Sequence, residues 1–383
     1  MVISIFLPTL APLIHNNLLY MEKRTDNYCV ILAGGHGRRL WPSSRKACPK
    51  QFVDFFGTGR TQLQSTFDRM LKTIPLENIF VTTRRRYTQL VREQLPELPE
   101  GNVLSEPVSR NTAPSVAWAG AHIHRFSEDA NIIVVPSDQF VIDEDRFQED
   151  VRRGLDFVSQ NNIILTMGIK PTRPEPGYGY IQIGEPTLVN GIYKVQSFTE
   201  KPNREFAQLF MDSGEFLWNT GLFLSNVRFL REFCIHHITD APSRLAPVKD
   251  MTSDQEEIDY VQAHYPSYPN LSMDKLALEL SGTSYVMRCN FGWADLGTWH
   301  SIYEFKQTQP MDNVVIDSEV LLENCRGNII RLPKGHIGVI NGLEGYIVAE
   351  QGNVLLICKK GDSSALIRKY INEVSLRYGE QYE

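Results

Sequence analysis

The stretch that most constrains this chain is residues 30–52, VILAGGHGRRLWPSSRKACPKQF. A short apolar run ends in two adjacent glycines, a third glycine follows at Gly37, and two arginines come next. A Pro-Lys-Gln-Phe turn closes the stretch at residues 49–52. Glycines let the backbone turn at positive φ and bring its N–H groups close to an anion. Arginine and lysine then neutralise charge at the same place. An apolar strand, a glycine loop and then cations is the order a phosphate cradle requires. A Walker loop needs GxxxxGK followed by Ser or Thr, and the chain contains no such string. The dinucleotide pattern GxGxxG fits Gly35 and Gly37 but places Leu40 at the third glycine, where close helix-to-strand packing needs no side chain.

Strand and helix patterns alternate around this loop. Residues 28–33, 78–83, 103–107 and 131–138 read as strands, separated by helical spacing over 61–74, 84–95 and 112–126. That alternation predicts an α/β fold built on a doubly wound, mostly parallel sheet covered on both faces. In such sheets ligands sit outside the carboxyl ends of the strands. Three polar clusters fall there: the glycine loop, residues 106–111 and Asp138. The middle of the chain holds short β segments over 163–226, then helices over 254–264 and 273–280, then a strand over 283–290. From residue 313 onward, short strands punctuated by Gly, Asn and Pro predict a small all-β unit or β-helix, closed by a helix over 363–374. The expected organisation is an N-terminal extension (1–26), a main domain (27–307) and a C-terminal β unit (312–383). Residues 1–20 are read as a dispensable extension, because Met21 sits just ahead of the first strand.

Bulk properties narrow the function classes. A net charge of −6, from 39 basic and 45 acidic residues, gives no general affinity for nucleic acid. The apolar stretch 2–14 carries two prolines and is shorter than the ~20 residues a membrane span needs, so no membrane association is expected. Six widely spaced cysteines without a CxxC pair fit reduced structural thiols in a cytoplasm, not a zinc site or a disulfide framework.

The loop string, with EPVSRNTAPS (106–115) and PSDQF (136–140), resembles the signature of sugar-nucleotide pyrophosphorylases, and within them the mannose-1-phosphate guanylyltransferases. PGYGYIQ (176–182), FTEKP (198–202), WNTGLF (218–223) and GWADLGTW (292–299) match in the same order. The resemblance covers about residues 28–305. It implies a nucleotidyltransferase domain with a small left-handed β-helix-like C-terminal portion, and a homodimer as the expected assembly. It also implies in-line attack of mannose 1-phosphate on the α-phosphate of GTP with Mg²⁺, giving GDP-mannose and pyrophosphate.

By the same resemblance, Leu32, Ala33, Gly34, Gly35, Gly37, Arg38 and Arg39 hold the triphosphate, while Arg39 and Lys50 are the catalytic cations. Asp138 and Asp295 are the expected metal pair, with Asp138 also at the nucleotide. A capping role for Asp295 on the helix starting near Thr298 is the alternative. Glu106 is the expected guanine reader, since a carboxylate accepts from adjacent N–H donors; Arg110 and Asn111 support it. Gly179, Glu200, Lys201 and Asn219 form the expected sugar-phosphate pocket, and Tyr178 and Tyr180 are expected to pack. Two departures stand out: Arg38 occupies a place the family usually gives to Thr, and Gln139 one it usually gives to His. No general base is needed, because the sugar phosphate is already an anion, so positioning and electrostatics carry the chemistry. A different base or sugar, or a non-catalytic regulatory paralogue, are the competing readings.

Overall fold

A computed structural model describes residues 26–238, 246–280, 283–361 and 363–383. The expected dispensable segment, residues 1–20, lies outside the described residues. The first eleven strands are β1 (Asn27–Leu32), β2 (Ile79–Arg84), β3 (Val103–Glu106), β4 (Asn131–Pro136), β5 (Gln139–Val141), β6 (Ile164–Ile169), β7 (Gly179–Pro186), β8 (Ile192–Glu200), β9 (Phe216–Asn226), β10 (Ser284–Cys289) and β11 (Trp293–Asp295). Nine of them form one sheet in the order β3-β2-β1-β4-β9-β6-β10-β8-β7, and β5 pairs with β11 alongside it.

The alternation of side chains along each strand divides the interior in two. Cys29, Ile31, Val81, Ile133 and Val135 point into one core, while Tyr28, Val30, Phe80, Ile132 and Val134 point into the other. Both sets are buried, so these strands read as continuous apolar runs, as strands covered on both faces must. Helix Gln62–Leu71 covers the first face. It starts at a capping box in which Thr61 and Gln64 satisfy each other's backbone, and it buries Leu63, Phe67 and Met70. Helix Thr112–His124 covers the second. It is Ala-rich and apolar nearly all round, as suits a helix buried between layers.

The sheet is less parallel than the sequence pattern predicts. Strands β1, β2, β3 and β4 run parallel, as do β6 and β10. However, β9 inserts antiparallel between β4 and β6, and β7 and β8 pair antiparallel with their neighbours. An apolar run buried on both faces reads the same in either direction, so the spacing of residues carried no signal for this reversal.

Beyond residue 313 come β12 (Val314–Val315), β13 (Glu319–Glu323), β14 (Ile329–Arg331), β15 (Ile337–Asn341), β16 (Tyr346–Gln351) and β17 (Val354–Lys359). The chain alternates between two small sheets. β12, β14 and β16 pair in parallel in one, β13 and β15 pair in parallel in the other, and β17 closes the first sheet antiparallel. A third core joins this unit to the rest of the molecule. It packs Leu40, Trp41, Phe55 and Trp299 against Ile329, Ile347, Ile367 and Ile371. Arg331 reaches across the same seam. Its guanidinium lies 4.9 Å from the Phe55 ring centroid and donates to Ser43 Oγ and Gln351 Oε1, each at 3.1 Å.

Trp299 is fully buried in that seam, and its indole N–H donates to the Trp41 carbonyl at 3.1 Å. Trp299→Ala is expected to cost about 3–5 kcal/mol in urea unfolding, the scale of emptying a large aromatic site. A loss below about 1 kcal/mol would show that the seam does not stabilise the fold.

Candidate active site

The parallel strands β1, β2, β3 and β4 end on one edge, and a cavity of about 380 Å³ opens there. Gly34, Gly35, Glu106, Asn111, Asp138 and Asp274 are among the residues lining it. The glycine loop is pinned from below. Gln51, fully buried, donates its side-chain amide to the carbonyls of Ala33 (2.8 Å) and Gly35 (3.0 Å), and Thr83 Oγ1 donates to Ala33 O at 3.0 Å. With those carbonyls turned inward, the open side of the loop is left to its N–H groups. Gly37 sits at φ +61°, and a Cβ there would lie 2.5 Å from Ser44 Oγ and 2.9 Å from Lys50 Cγ. Only glycine meets both demands.

Arg39, Lys50, Asp138 and Asp295 come together at one place. The register of β5 on β11 sets Gln139 opposite Asp295, so Asp138, one residue earlier, lies beside it. Lys50 Nζ forms an ion pair with Asp138 Oδ2, and the lysine is almost fully buried. A methyl group placed on Gly297 would lie 2.8 Å from Asp295 Oδ1, 3.0 Å from Arg39 Nη2 and 3.1 Å from Lys50 Nζ. Two cations and two carboxylates therefore share one small volume, which stays open because residue 297 has no side chain. Asp295 does not cap the following helix: Thr298 does, in a capping box with Ser301. The backbone of Asp295 is instead held by Tyr178, whose hydroxyl accepts from the Asp295 N–H at 3.2 Å. Gln139 donates its side-chain amide to the Thr220 carbonyl, tying β5 to β9.

Glu106 ends β3 with only 4% of its surface exposed. It accepts a hydrogen bond from Ser115 Oγ and makes no ion pair within 4 Å among the described residues. Burial pushes its carboxyl up to about 7, against the opposing effects of Ser115, Tyr265 and the Arg84 charge. Asn111 stands at φ 67°, caps helix Thr112–His124 with its side chain and lines the cavity. Arg110 lies apart from the lining; its side chain donates to the Pro266 carbonyl and its own carbonyl accepts from the Leu271 N–H.

Among the residues expected at the sugar, Asn219 donates to Asp274 Oδ1 at 2.5 Å and accepts from the Gly221 N–H at 3.1 Å. Glu200 and Lys201 pair with each other, and Lys201 adopts φ 48°. A Cβ on Gly179 would lie 2.7 Å from the Phe198 ring and 2.9 Å from Glu200 Oε2, so glycine is what allows that approach. Tyr178 and Tyr180 are buried and packed. Asp274 was not expected from sequence. Burial raises its pKa, opposed by the Asn219 hydrogen bond, and Glu200's charge adds to the rise. Arg38 also departs from expectation: its guanidinium turns toward Glu383, at 3.3 Å, and it is not among the residues lining the cavity.

A pinned glycine loop at the carboxyl edge of an α/β sheet, with two cations and two carboxylates beside it, defines a site for transferring phosphate-bearing groups. This chain belongs to the nucleotidyl transferase family, whose profile matches residues 28–310. It is 32% identical over 339 residues to a mannose-1-phosphate guanylyltransferase of Salmonella montevideo, covering 86% of this chain and 70% of that protein. Against a mannose-1-phosphate guanylyltransferase of Sinorhizobium fredii it is 32% identical over 332 residues, covering 86% of this chain and 64% of that one. Among solved structures it resembles mannose-1-phosphate geranyltransferase from Thermus thermophilus, with a TM-score of 0.80 and 26% identity over 91% of this chain and 99% of that one.

The raised Glu106 pKa carries a stability consequence. Between about 4.5 and 7 the folded carboxyl holds a proton that the unfolded one has lost, so this group lowers stability as pH rises through that window. Below the window the penalty vanishes, and above it the penalty is constant. Glu106→Gln should therefore lose less stability than the parent between pH 5 and pH 8 in urea titrations. Equal losses would place Glu106 in a wetter environment than its burial indicates.

Proposed function

We propose that this protein is a GTP-dependent mannose-1-phosphate guanylyltransferase acting in the cytoplasm, where its six unpaired cysteines would stay reduced. No helix among the described residues is long and apolar enough to cross a membrane. A phosphate oxygen of mannose 1-phosphate attacks the α-phosphorus of GTP in line. The bond from that phosphorus to the bridging oxygen breaks, and pyrophosphate leaves with the electron pair, giving GDP-mannose. The observation that carries this reading is the meeting of Arg39, Lys50, Asp138 and Asp295 beside the loop.

In this reading the N–H groups of Gly34, Gly35 and Gly37 receive the triphosphate; Leu32 lines the nucleotide cavity, and Ala33, whose N–H donates to the Thr82 carbonyl at 2.8 Å, anchors the strand end below it. Arg39 stabilises the leaving phosphates, and Lys50 meets charge growing on the α-phosphoryl group. The donor set suits Mg²⁺, which takes one or two carboxylates and leaves its other positions to phosphate oxygens and water. Asp138 and Asp295 would hold it, and when bound it would neutralise phosphate charge. Ionised Glu106 accepts the adjacent N–H donors of guanine, with Asn111 fixing the segment beside it; adenine would leave the carboxylate buried and unpaired. Asn219, Glu200 and Gly179 face the sugar, and Lys201 its phosphate.

Pyrophosphate release across a grid of NTPs and sugar 1-phosphates, with and without EDTA, tests the assignment. GTP with mannose 1-phosphate and metal dependence are expected; preference for UTP or dTTP would refute it. Asp138→Ala and Asp295→Ala should each reduce turnover by roughly 10²–10³, the scale of losing one charge-stabilising group. Near-parental turnover in either would remove that residue from the metal site.

The alternation of the C-terminal chain between two parallel sheets supports a short left-handed β-helix. Its outer face carries Leu321 beside Val339, with Ile337 in the same strand, all more than half exposed. That apolar patch supports a homodimer contact through this unit. Light scattering should show a dimer for the parent and a monomer for Ile337→Lys/Val339→Lys. A monomeric parent would discard the contact.

A further inference from the structure

The last residues of the chain return to the back of the glycine loop. Helix Ser363–Tyr378 ends, Gly379 turns the backbone at φ 104°, and residues 380–383 lie along the segment that links the glycines to Lys50. Two bonds join main chain to loop: Trp41 Nε1 donates to the Tyr382 carbonyl at 2.7 Å, and the Lys46 amide donates to Glu383 O at 2.7 Å. Charged contacts flank them. The Glu383 carboxylate, 14% exposed, lies 3.3 Å from Arg38 Nη2 and 3.6 Å from Lys46 Nζ, and Glu380 Oε2 lies 2.8 Å from Lys46 Nζ. The tail thus grips residues 38, 41 and 46 of one continuous loop.

Arg38 and Arg39 are neighbours on a single 3₁₀ turn, Arg38–Leu40. Successive side chains on such a turn diverge by a third of a revolution. Arg38 points to Glu383, while Arg39 points to Asp295 and Gly297. A turn held through Arg38 on one side presents Arg39 to the other.

We propose that Glu380 and Glu383 form a strap that positions the glycine loop for the triphosphate, acting through Arg38, Trp41 and Lys46. These are positioning residues and do not touch substrate; Arg38 serves the strap and not the nucleotide. The proposal rests on the loop being the triphosphate cradle. Carboxylates near the loop also repel an incoming polyanion, which is the opposite effect. The two effects differ in sign.

The test uses the full chain carrying Glu380→Gln/Glu383→Gln. The Michaelis constant for GTP should rise about fivefold, the scale of losing three weak, partly exposed ion pairs, while that for the sugar phosphate and the melting temperature stay put. Amide exchange across residues 37–46 should quicken. Arg38→Thr should act in the same direction and should not add to Glu383→Gln, because the two share one contact. An unchanged or lowered constant for GTP, or unchanged exchange, overturns the strap. If exchange quickens but the parent itself turns over no nucleotide with any sugar phosphate, the strap stands and the transferase reading falls.

Discussion

The short ladder between β5 and β11 is the contact on which the site depends. Three residue pairs, Gln139 with Asp295, Phe140 with Ala294 and Val141 with Trp293, bring together two carboxylates far apart in the chain. Ile142 and Asp143 extend the pairing through hydrogen bonds to Gly292 and Phe291. Without it, Asp138 would still lie at the end of β4, but Asp295 would keep only the Tyr178 hydroxyl to hold its backbone there. Two carboxylates and two cations so close, and partly out of water, offset one another's desolvation; any one alone would be costly. The cluster is therefore balanced without substrate and ready to be repartitioned when a polyanion arrives.

Everything beneath that cluster serves to hold backbone still. Gln51 and Thr83 fix the carbonyls of the glycine loop, Tyr178 holds the Asp295 backbone, and Gln139 binds the Thr220 carbonyl. None of these groups needs to move a proton. A reaction whose nucleophile is already ionised calls for a stationary arrangement of charge, and the polar contacts supply it.

Much of this was legible from residue order alone. Apolar runs ending in glycine, in Glu-Pro and in Ser-Asp announce strand ends, and a parallel sheet aligns such ends on one edge. The positions of the glycine loop, Glu106 and Asp138 followed from that rule. Asp295 required the resemblance, because nothing near it in the chain says which strand it will pair with. Three features had no local signal. The reversed direction of β9 leaves the same apolar pattern as a parallel strand. Asp274 is identified only once folding sets it in the cavity wall, accepting from Asn219 of a distant strand. Arg38 reads as one more phosphate ligand until its partner, at the other end of the chain, is seen.

In the proposed reaction Lys50, drawn into the Asp138 and Asp295 cluster, meets the phosphates of the nucleotide. Equilibrium titration with GTP in the presence of Mg²⁺, comparing the parent with Lys50→Met, addresses it most directly. The variant is expected to bind roughly 10- to 100-fold more weakly, the scale of one charge-assisted hydrogen bond. Equal affinity in a variant of parental stability would contradict it, leaving Lys50 as no more than the counter-charge of Asp138.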